Sequence, residues 1–392
     1  MPLFEVHNSQ QVRQFLDLPT RLYQQYPEWI SPLDHEIEAV FSPQKNRLLR
    51  EGKGEVVRWI LTNDAGTVIG RVAAFTNSAL PQEIPNLPVG GMGFFECIDD
   101  QQATNTLFDA CRTWLETRGM AAMDGPINFG ERDRFWGLLV DGFTEPNYGM
   151  FYHPPYYQKL FEQYGFQVYF KQYTYDIPTD IKLHPNFAKV TDRFTREEPD
   201  YRFAYADASD SEKLARDFHH VYSLAWARHS GVSDMSLEQA RNIVREMKPV
   251  LDERLLWFIY YRDEAVGFFI SLPELNQIFK HVGRKLDTLG KLRFLWEKYQ
   301  YQRRQPKKAF GVIFGVIPEH QGKGAESAMI YQAQSVYQNA GYTSLEMNWI
   351  GDFNPRMMAV CRSIGARIVK THVTYRLLFD ETRPFERCPI IR

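Results

Sequence analysis

Two stretches of this chain repeat one another at an offset of 200 residues, and that repeat constrains the fold more than any other feature. Pro155 to Ile177 (PYYQKLFEQYGFQVYFKQYTYDI) aligns with Pro355 to Leu377 (PRMMAVCRSIGARIVKTHVTYRL), and Pro155/Pro355, Gly165/Gly365, Thr174/Thr374 and Tyr175/Tyr375 match without a gap. Each stretch reads as a short helix, a stopping glycine and a β-rich run, because glycine takes the left-handed position after a helix at low cost. A repeat of this length means two copies of one supersecondary plan.

The rest of the chain follows the same plan. Val56 to Phe75 resembles Arg254 to Leu272, with Trp59 matching Trp257 and Gly70 matching Gly267, and both read as β-hairpins. Gly93 to Ile98 precedes a helix pattern carrying Leu107, Ala110, Cys111, Trp114 and Leu115, ended by Gly119. Gly311 to Ile317 precedes Ala325, Ala328, Met329, Ala333, Val336, Tyr337 and Ala340, ended by Gly341. A further strand follows at Ser344 to Ile350. The order in each half is helices, hairpin, strand, long helix, strand, short helix, two strands. It predicts an α/β (α+β) fold, twice over, each copy a mixed and mostly antiparallel sheet flanked by helices. The expected division is residues 1–180, a polar linker at 181–203, and 204–392. Insertions fall at Asn128 to Met150 in the first copy and between Pro273 and Phe310 in the second.

Composition agrees with two domains and excludes some classes. A chain of 392 residues and 46.0 kDa with 44% hydrophobic residues has more apolar surface than one ordinary core organises. A net charge of −2 argues against nucleic-acid coating. No stretch approaches the roughly 20 apolar residues of a membrane span, and Met1 to Gln10 has no signal-peptide pattern, so a soluble cytoplasmic protein is expected. Cys97, Cys111, Cys361 and Cys388 show no metal-ligand spacing, and His219 and His220 point to different helix faces, so no metal site is expected.

The chemically informative stretch is GVIFGVIPEHQGKGAESAMIYQA, Gly311 to Ala333. A strand runs through a glycine-containing turn straight into a helix, so amide groups at Gly322, Lys323, Gly324 and Ala325 are freed at the positive end of the helix dipole. That arrangement binds phosphate. The two glycines admit close approach of a pyrophosphate, and Lys323 adds charge.

At Gln321, Gly322, Lys323 and Gly324 the sequence resembles the pyrophosphate loop of the GNAT superfamily, the GCN5-related N-acetyltransferases. Asn354 to Ala366 resembles that family's later helix. The two-copy layout, with GFFECIDD (Gly93 to Asp100), GPINF (Gly125 to Phe129) and HPPYY (His153 to Tyr157), looks like a group of bacterial tandem GNAT-like proteins of undefined substrate. The resemblance implies transfer of an acyl group from acetyl-CoA or another acyl-CoA to a small-molecule or peptide amine. It implies that Val316, Ile317, Gln321, Gly322, Lys323, Gly324, Ala325 and Asn354 hold the coenzyme. Carboxylates within reach are Glu319, Glu346 and Asp352, with Glu346 the first choice for a base. Tyr375 or Tyr331 would donate the proton. Two departures stand out: Glu326 occupies the place where the family's loop ends in Gly or Ala, and Cys361 the place of its proton-donating Tyr. These favour the alternative, a catalytically silent protein that binds acyl-CoA, lipid or a partner. In the first copy the equivalent loop, Glu96 to Thr104, carries Asp99 and Asp100 and no glycine, so that copy is expected to have lost the coenzyme and to serve as scaffold.

Two further features are open. Lys280 to Lys308 carries ten Lys or Arg against two acids, with Leu289, Leu292, Leu295, Trp296 and Tyr299 at helical spacing. Such a basic helix over 288–304 suits a membrane surface, an anionic carrier protein, an anionic ligand, or simply a solvated face. The aromatic residues Tyr148, Phe151, Tyr152, Tyr156 and Tyr157, with His153 and Trp136, either line a substrate cleft between the halves or join them as core.

Overall fold

The computed structural model describes residues 1–79, 87–129, 134–226 and 235–391; residues 130–133 of the first insertion lie outside them. The first half contributes β1 (Leu3–Glu5), α1 (Ser9–Leu22), α2 (Asp34–Phe41), α3 (Arg47–Arg50), β2 (Gly54–Thr62), β3 (Val68–Asn77), β4 (Val89–Cys97), α4 (Gln101–Glu116), β5 (Ala122–Gly125), β6 (Leu138–Asp141), α5 (Tyr157–Tyr164) and β7 (Gln167–Pro178). After α6 (Pro185–Glu197) the plan repeats. It runs through β8 (Tyr201–Tyr205), α7 (Ser211–Trp226), α8 (Leu237–Met247), β9 (Leu256–Tyr261), β10 (Glu264–Pro273), α9 (Asn276–Val282), α10 (Thr288–Arg303), β11 (Lys307–Val316), α11 (Ala325–Asn339), β12 (Tyr342–Gly351), α12 (Pro355–Ser363) and β13 (Arg367–Leu378). Both hairpins, both long helices and both Gly-stopped short helices stand where the sequence pattern sets them, and Gly165 and Gly365 take φ of 109° and 81°. Each half closes on one long strand, not two.

The thirteen strands of the described residues join in one sheet. Its order is β1-β2-β3-β4-β5-β13-β7-β12-β11-β10-β9-β8, with β6 beside β13. The closing strands are exchanged: β7 of the first half pairs with β12 and β13, and β13 of the second half pairs with β5, β6 and β7. Where β7 and β13 meet, Gln172 faces His372, Tyr173 faces Thr371 and Lys171 faces Val373. Equivalent residues of the repeat therefore face one another about a local two-fold, and the register irregularities on either side of it are matched, at Ile368/Lys370 and Thr374/Tyr375. The cores follow the exchange. Tyr175 and Ile177 lie in the second half's core with Trp257, Phe268, Met329 and Cys361, while Val373, Tyr375 and Leu377 lie in the first half's core with Phe95, Phe108 and Phe161.

The stretch expected as a linker is ordered. Phe187, Thr191 and Phe194 recur at helical spacing and are buried along α6, which packs on α11. Gln334 Nε2 ties α11 to the carbonyls of Thr179 and Ile181 at 2.8 and 2.6 Å. The second insertion folds back over the first half. Leu33 and Tyr148 join Leu275, Ile278, Phe279, Val282 and Tyr301 in one apolar cluster, Asn276 Nδ2 bonds the Pro146 carbonyl at 2.8 Å, and Arg284 pairs with Asp17 and Asp34.

Candidate functional site

The site begins where two parallel strands part. β11 pairs with β12 from Lys307/Tyr342 to Gly311/Met347 and no further, although both strands continue. Each carries an irregularity at the point of divergence. Against β10, Ile313 and Gly311 face consecutive residues, so Val312 is an extra, bulged residue, 47% exposed in the middle of the sheet. Against β7, Met347 and Ile350 face Tyr175 and Tyr173, so the Asn348–Trp349 segment is bulged too. Trp349 sits at φ 63°, a left-handed conformation that costs a bulky residue on the order of 1–2 kcal/mol. Asn348 Oδ1 is buried without a hydrogen-bond partner among the described residues. Unpaired strand edge, strain and an orphaned polar atom concentrate at one wedge-shaped opening.

In the first half the same opening is closed. β4 pairs with β5 up to Gly91/Asp124, but the chain after β5 stays on it: Ile127 N–H bonds the Met92 carbonyl at 2.8 Å. A side chain at Gly93 would strike the Ile127 carbonyl oxygen at 2.0 Å. Phe75, Phe129 and Trp136 pack over the seam. Asp100 turns its carboxylate onto the Ala103 amide as the cap of α4. Glu96 is buried against Arg71 at 3.4 Å and accepts the hydroxyls of Tyr23 and Tyr157, both at 2.8 Å. Burial raises its pKa against the pull of Arg71.

Beyond the wedge, β11 leads to the loop. Gly322 and Gly324 take φ of 71° and 87°, which suits glycine, and α11 starts at Ala325. Among the described residues no protein acceptor takes the amides of 322–326, whereas Ser327 and Ala328 bond the Gly324 carbonyl. Gln321 turns inward, its Nε2 on the Val316 carbonyl at 2.8 Å, and Ile317 N–H bonds the Val266 carbonyl at 2.9 Å. Val316 and Ile317 are thereby committed to the fold, and the open edge lies upstream at Val312 to Phe314. Arg193 of α6 reaches over the loop to the Lys323 carbonyl, bringing a second cation to it. Glu326 stands in the first turn of α11, next to that loop, with Oε2 buried and unpartnered among the described residues.

The remaining sequence candidates scatter. Asn354 caps α12 by accepting the Met357 amide at 3.1 Å. Asp352 pairs with Arg387, and Glu319 is exposed. Tyr331 is 40% exposed on α11. Tyr375 lies in the other half, donating to Glu162 at 3.0 Å, because its strand is exchanged. In its stead Tyr175 comes beside Cys361. Tyr175 is 2% exposed, its hydroxyl has no partner among the described residues, and its pKa is raised by burial and by the neighbouring Cys361. Cys361 is itself buried, which pushes its thiol up to about 12 and makes it a poor acid or nucleophile.

Glu346 sits one residue before the point of divergence, and it is not free. Lys370 Nζ bonds it at 2.7 Å and Lys308 stands at 3.5 Å; burial alone would raise its pKa, and the two lysines hold it below the ordinary value. Beside it lies Glu274, a residue that no motif or spacing singles out. Glu274 accepts from Asn147 Nδ2 at 2.8 Å, Tyr148 N–H at 2.9 Å and Asn276 N–H at 3.0 Å. Burial pushes its pKa up to about 7 despite those donors, and the charge of Glu346 adds to the rise.

No family model matches the chain. Among solved structures, a tandem GNAT protein from the clavulanic acid biosynthesis pathway superposes with a TM-score of 0.53 at 11% identity, covering 98% of this chain and 99% of that one. The chain has a tandem GNAT fold. A GCN5-related glucosamine N-acetyltransferase region of a fungal multi-domain β-N-acetylglucosaminidase gives a TM-score of 0.56 at 13% identity, covering 96% of this chain and 38% of that longer one. In sequence, the GNAT-fold chain is 26% identical over 386 residues to a bacterial ceramide synthase of Caulobacter vibrioides, covering 96% of this chain and 97% of that protein. It is 22% identical over 376 residues to protein YghO of Escherichia coli K12, covering 94% and 93%.

Proposed function

We propose that the protein is an acyl-CoA-dependent N-acyltransferase whose coenzyme site is the β11–β12 wedge and the 321–326 loop of the second half. The observation that carries this reading is the asymmetry of the copies: one wedge is filled by its own chain, the other stands open before a loop of free amides. The amides of 322–326, with Lys323 and Arg193, take the pyrophosphate, and the β11 edge at Val312 to Phe314 pairs with the amide-containing arm of the coenzyme. The amine attacks the thioester carbon, the C–S bond breaks, and the thiolate takes the proton of the Tyr175 hydroxyl. The ammonium proton passes to the Glu274–Asn147–Glu346 cluster, where Glu274 is the member that changes protonation near neutral pH.

The full-length similarity to a ceramide synthase supports a lipid acceptor, since a ceramide is the amide of a long-chain amino alcohol. Incubation with acyl-CoAs of graded length and a panel of amines tests the reading. Thiol release and an amide product with a long-chain amino alcohol are expected. Tight acyl-CoA binding without thiol release from any amine would establish the second reading, a silent binding protein, which Glu326 at the loop favours because a carboxylate there repels phosphate.

A further inference from the structure

The outer face of α10 is built to lie in a lipid surface. Along its sixteen residues Leu289, Leu292, Leu295, Trp296 and Tyr299 recur at three- and four-residue spacing and stand 58%, 62%, 60%, 59% and 42% exposed. The opposite face is anchored: Tyr301 and Phe294 enter the apolar cluster with Phe279 and Val282, and Gly290 lies close against the Lys285 backbone. Five large apolar side chains are thus held outward by a helix that is anchored on its inner side through Gly290, Phe294 and Tyr301. Soluble surfaces rarely present such a contiguous stripe without a use for it.

Charge sets the partner. Lys291 and Lys298 border the stripe on one side and Arg293 and Arg304 on the other, and the segment from Lys280 to Lys308 holds ten basic residues against Asp287 and Glu297. Several of the ten serve the fold, Arg284 with Asp17 and Asp34, Lys280 with Glu145 and Lys308 with Glu346. Lys291 and Arg293 form no ion pair among the described residues. Trp296 and Tyr299 stack at 6.1 Å, and Arg303 covers the Tyr299 ring at 3.7 Å, a pairing of aromatic body and polar rim that suits the water–lipid boundary. At the start of the helix Arg284, Lys285 and Arg293, with Asp287, wall a shallow depression of about 410 Å³. No helix among the described residues is long and apolar enough to cross a membrane, so contact is made from one side.

We infer that α10 docks the protein onto an anionic bilayer, its apolar stripe in the interface and its flanking lysines and arginines on the headgroups. A convex helix with an apolar crest and basic flanks matches a planar anionic interface; an acidic protein partner would need a groove for the crest. This inference stands apart from the coenzyme reading, since docking requires no turnover.

Co-sedimentation with phosphatidylcholine vesicles, with and without phosphatidylglycerol, tests it on the full chain. Binding is expected with phosphatidylglycerol and much weaker binding without it. Both L292E/W296E and K291E/R293E should lose at least about tenfold in partitioning, with unchanged circular dichroism, because every altered side chain is solvent-exposed. A W296F variant should lose the fluorescence blue shift that vesicles induce. Failure to sediment with phosphatidylglycerol vesicles would overturn the inference, as would undiminished sedimentation of L292E/W296E. Capture of an acidic carrier protein by this face, with no vesicle binding, would overturn it too.

Discussion

Tyr375 donates its hydroxyl to Glu162 at 3.0 Å, across 213 residues of chain, while its repeat counterpart Tyr175 sits beside Cys361 with its hydroxyl unpartnered among the described residues. The two tyrosines have traded halves because β7 and β13 have. Every strand that β7 pairs with, β12 and β13, belongs to the second half.

Neither half should therefore fold alone. Residues 1–180 would leave β7 without a partner and the β5 edge bare. We expect no cooperative thermal transition for residues 1–180 or 181–392 expressed separately, and recovery of one when they are co-expressed. Circular dichroism melts decide it, and a cooperative transition in residues 1–180 alone would count against the exchange.

The tyrosine pair gives opposite responses to loss of a hydroxyl. Tyr375→Phe breaks a part-buried hydrogen bond and should cost about 1 kcal/mol. Tyr175→Phe removes an orphaned hydroxyl and should change stability by no more than about 0.5 kcal/mol in either direction. If Tyr175 protonates the leaving thiolate, its Phe variant loses roughly a hundredfold in kcat with KM unchanged, and Tyr375→Phe does not. Denaturant melts and steady-state rates measured together separate these outcomes.

Glu274 makes stability depend on pH. Its pKa rises from 4.5 to about 7 on folding, so its protonated form favours the native state. That contribution is complete below about pH 4.5 and is lost as pH climbs through 7, a difference on the order of 3 kcal/mol. Glu274→Gln should abolish it. Unfolding free energies of wild type minus variant, measured from about pH 5 to 8, should fall with pH; a flat difference would show that Glu274 titrates normally.

The Arg71–Glu96 pair in the first half should act on the fold and leave the coenzyme site alone. Glu96→Ala strands a guanidinium that is 1% exposed and should destabilise by roughly 3–5 kcal/mol. Acyl-CoA affinity of the variant, measured where it remains folded, should match wild type.

What was legible in the sequence was local. Glycine stops, hairpins and the strand–turn–helix at Gly311 to Ala333 each announce themselves within twenty or so residues, and the repeat fixed their order. Strand pairing is not local. The runs at 167–178 and 367–378 read as buried strands but carry no label for the half they join, and Tyr375 stands in the first half's core although its sequence position lies in the second. Arg193 lies in a polar stretch that reads as a linker; the spacing of Phe187, Thr191 and Phe194 is the signal that α6 is a helix. The bulges at Val312 and Trp349 and the burial of Glu274 arise from register and packing, which no residue pattern reports.

One coenzyme site per chain, in the second half, is the central expectation. Calorimetric titration with an acyl-CoA tests this most directly, comparing wild type with Gly322→Asp, where φ of 71° adds modest strain, no atom lies within 4 Å of the new Cβ, and the added charge faces the free amides. A single saturable site is expected in wild type and at least about tenfold weaker binding in the variant, with the melting profile nearly unchanged. Two sites per chain, no saturable binding, or full affinity in Gly322→Asp would contradict it.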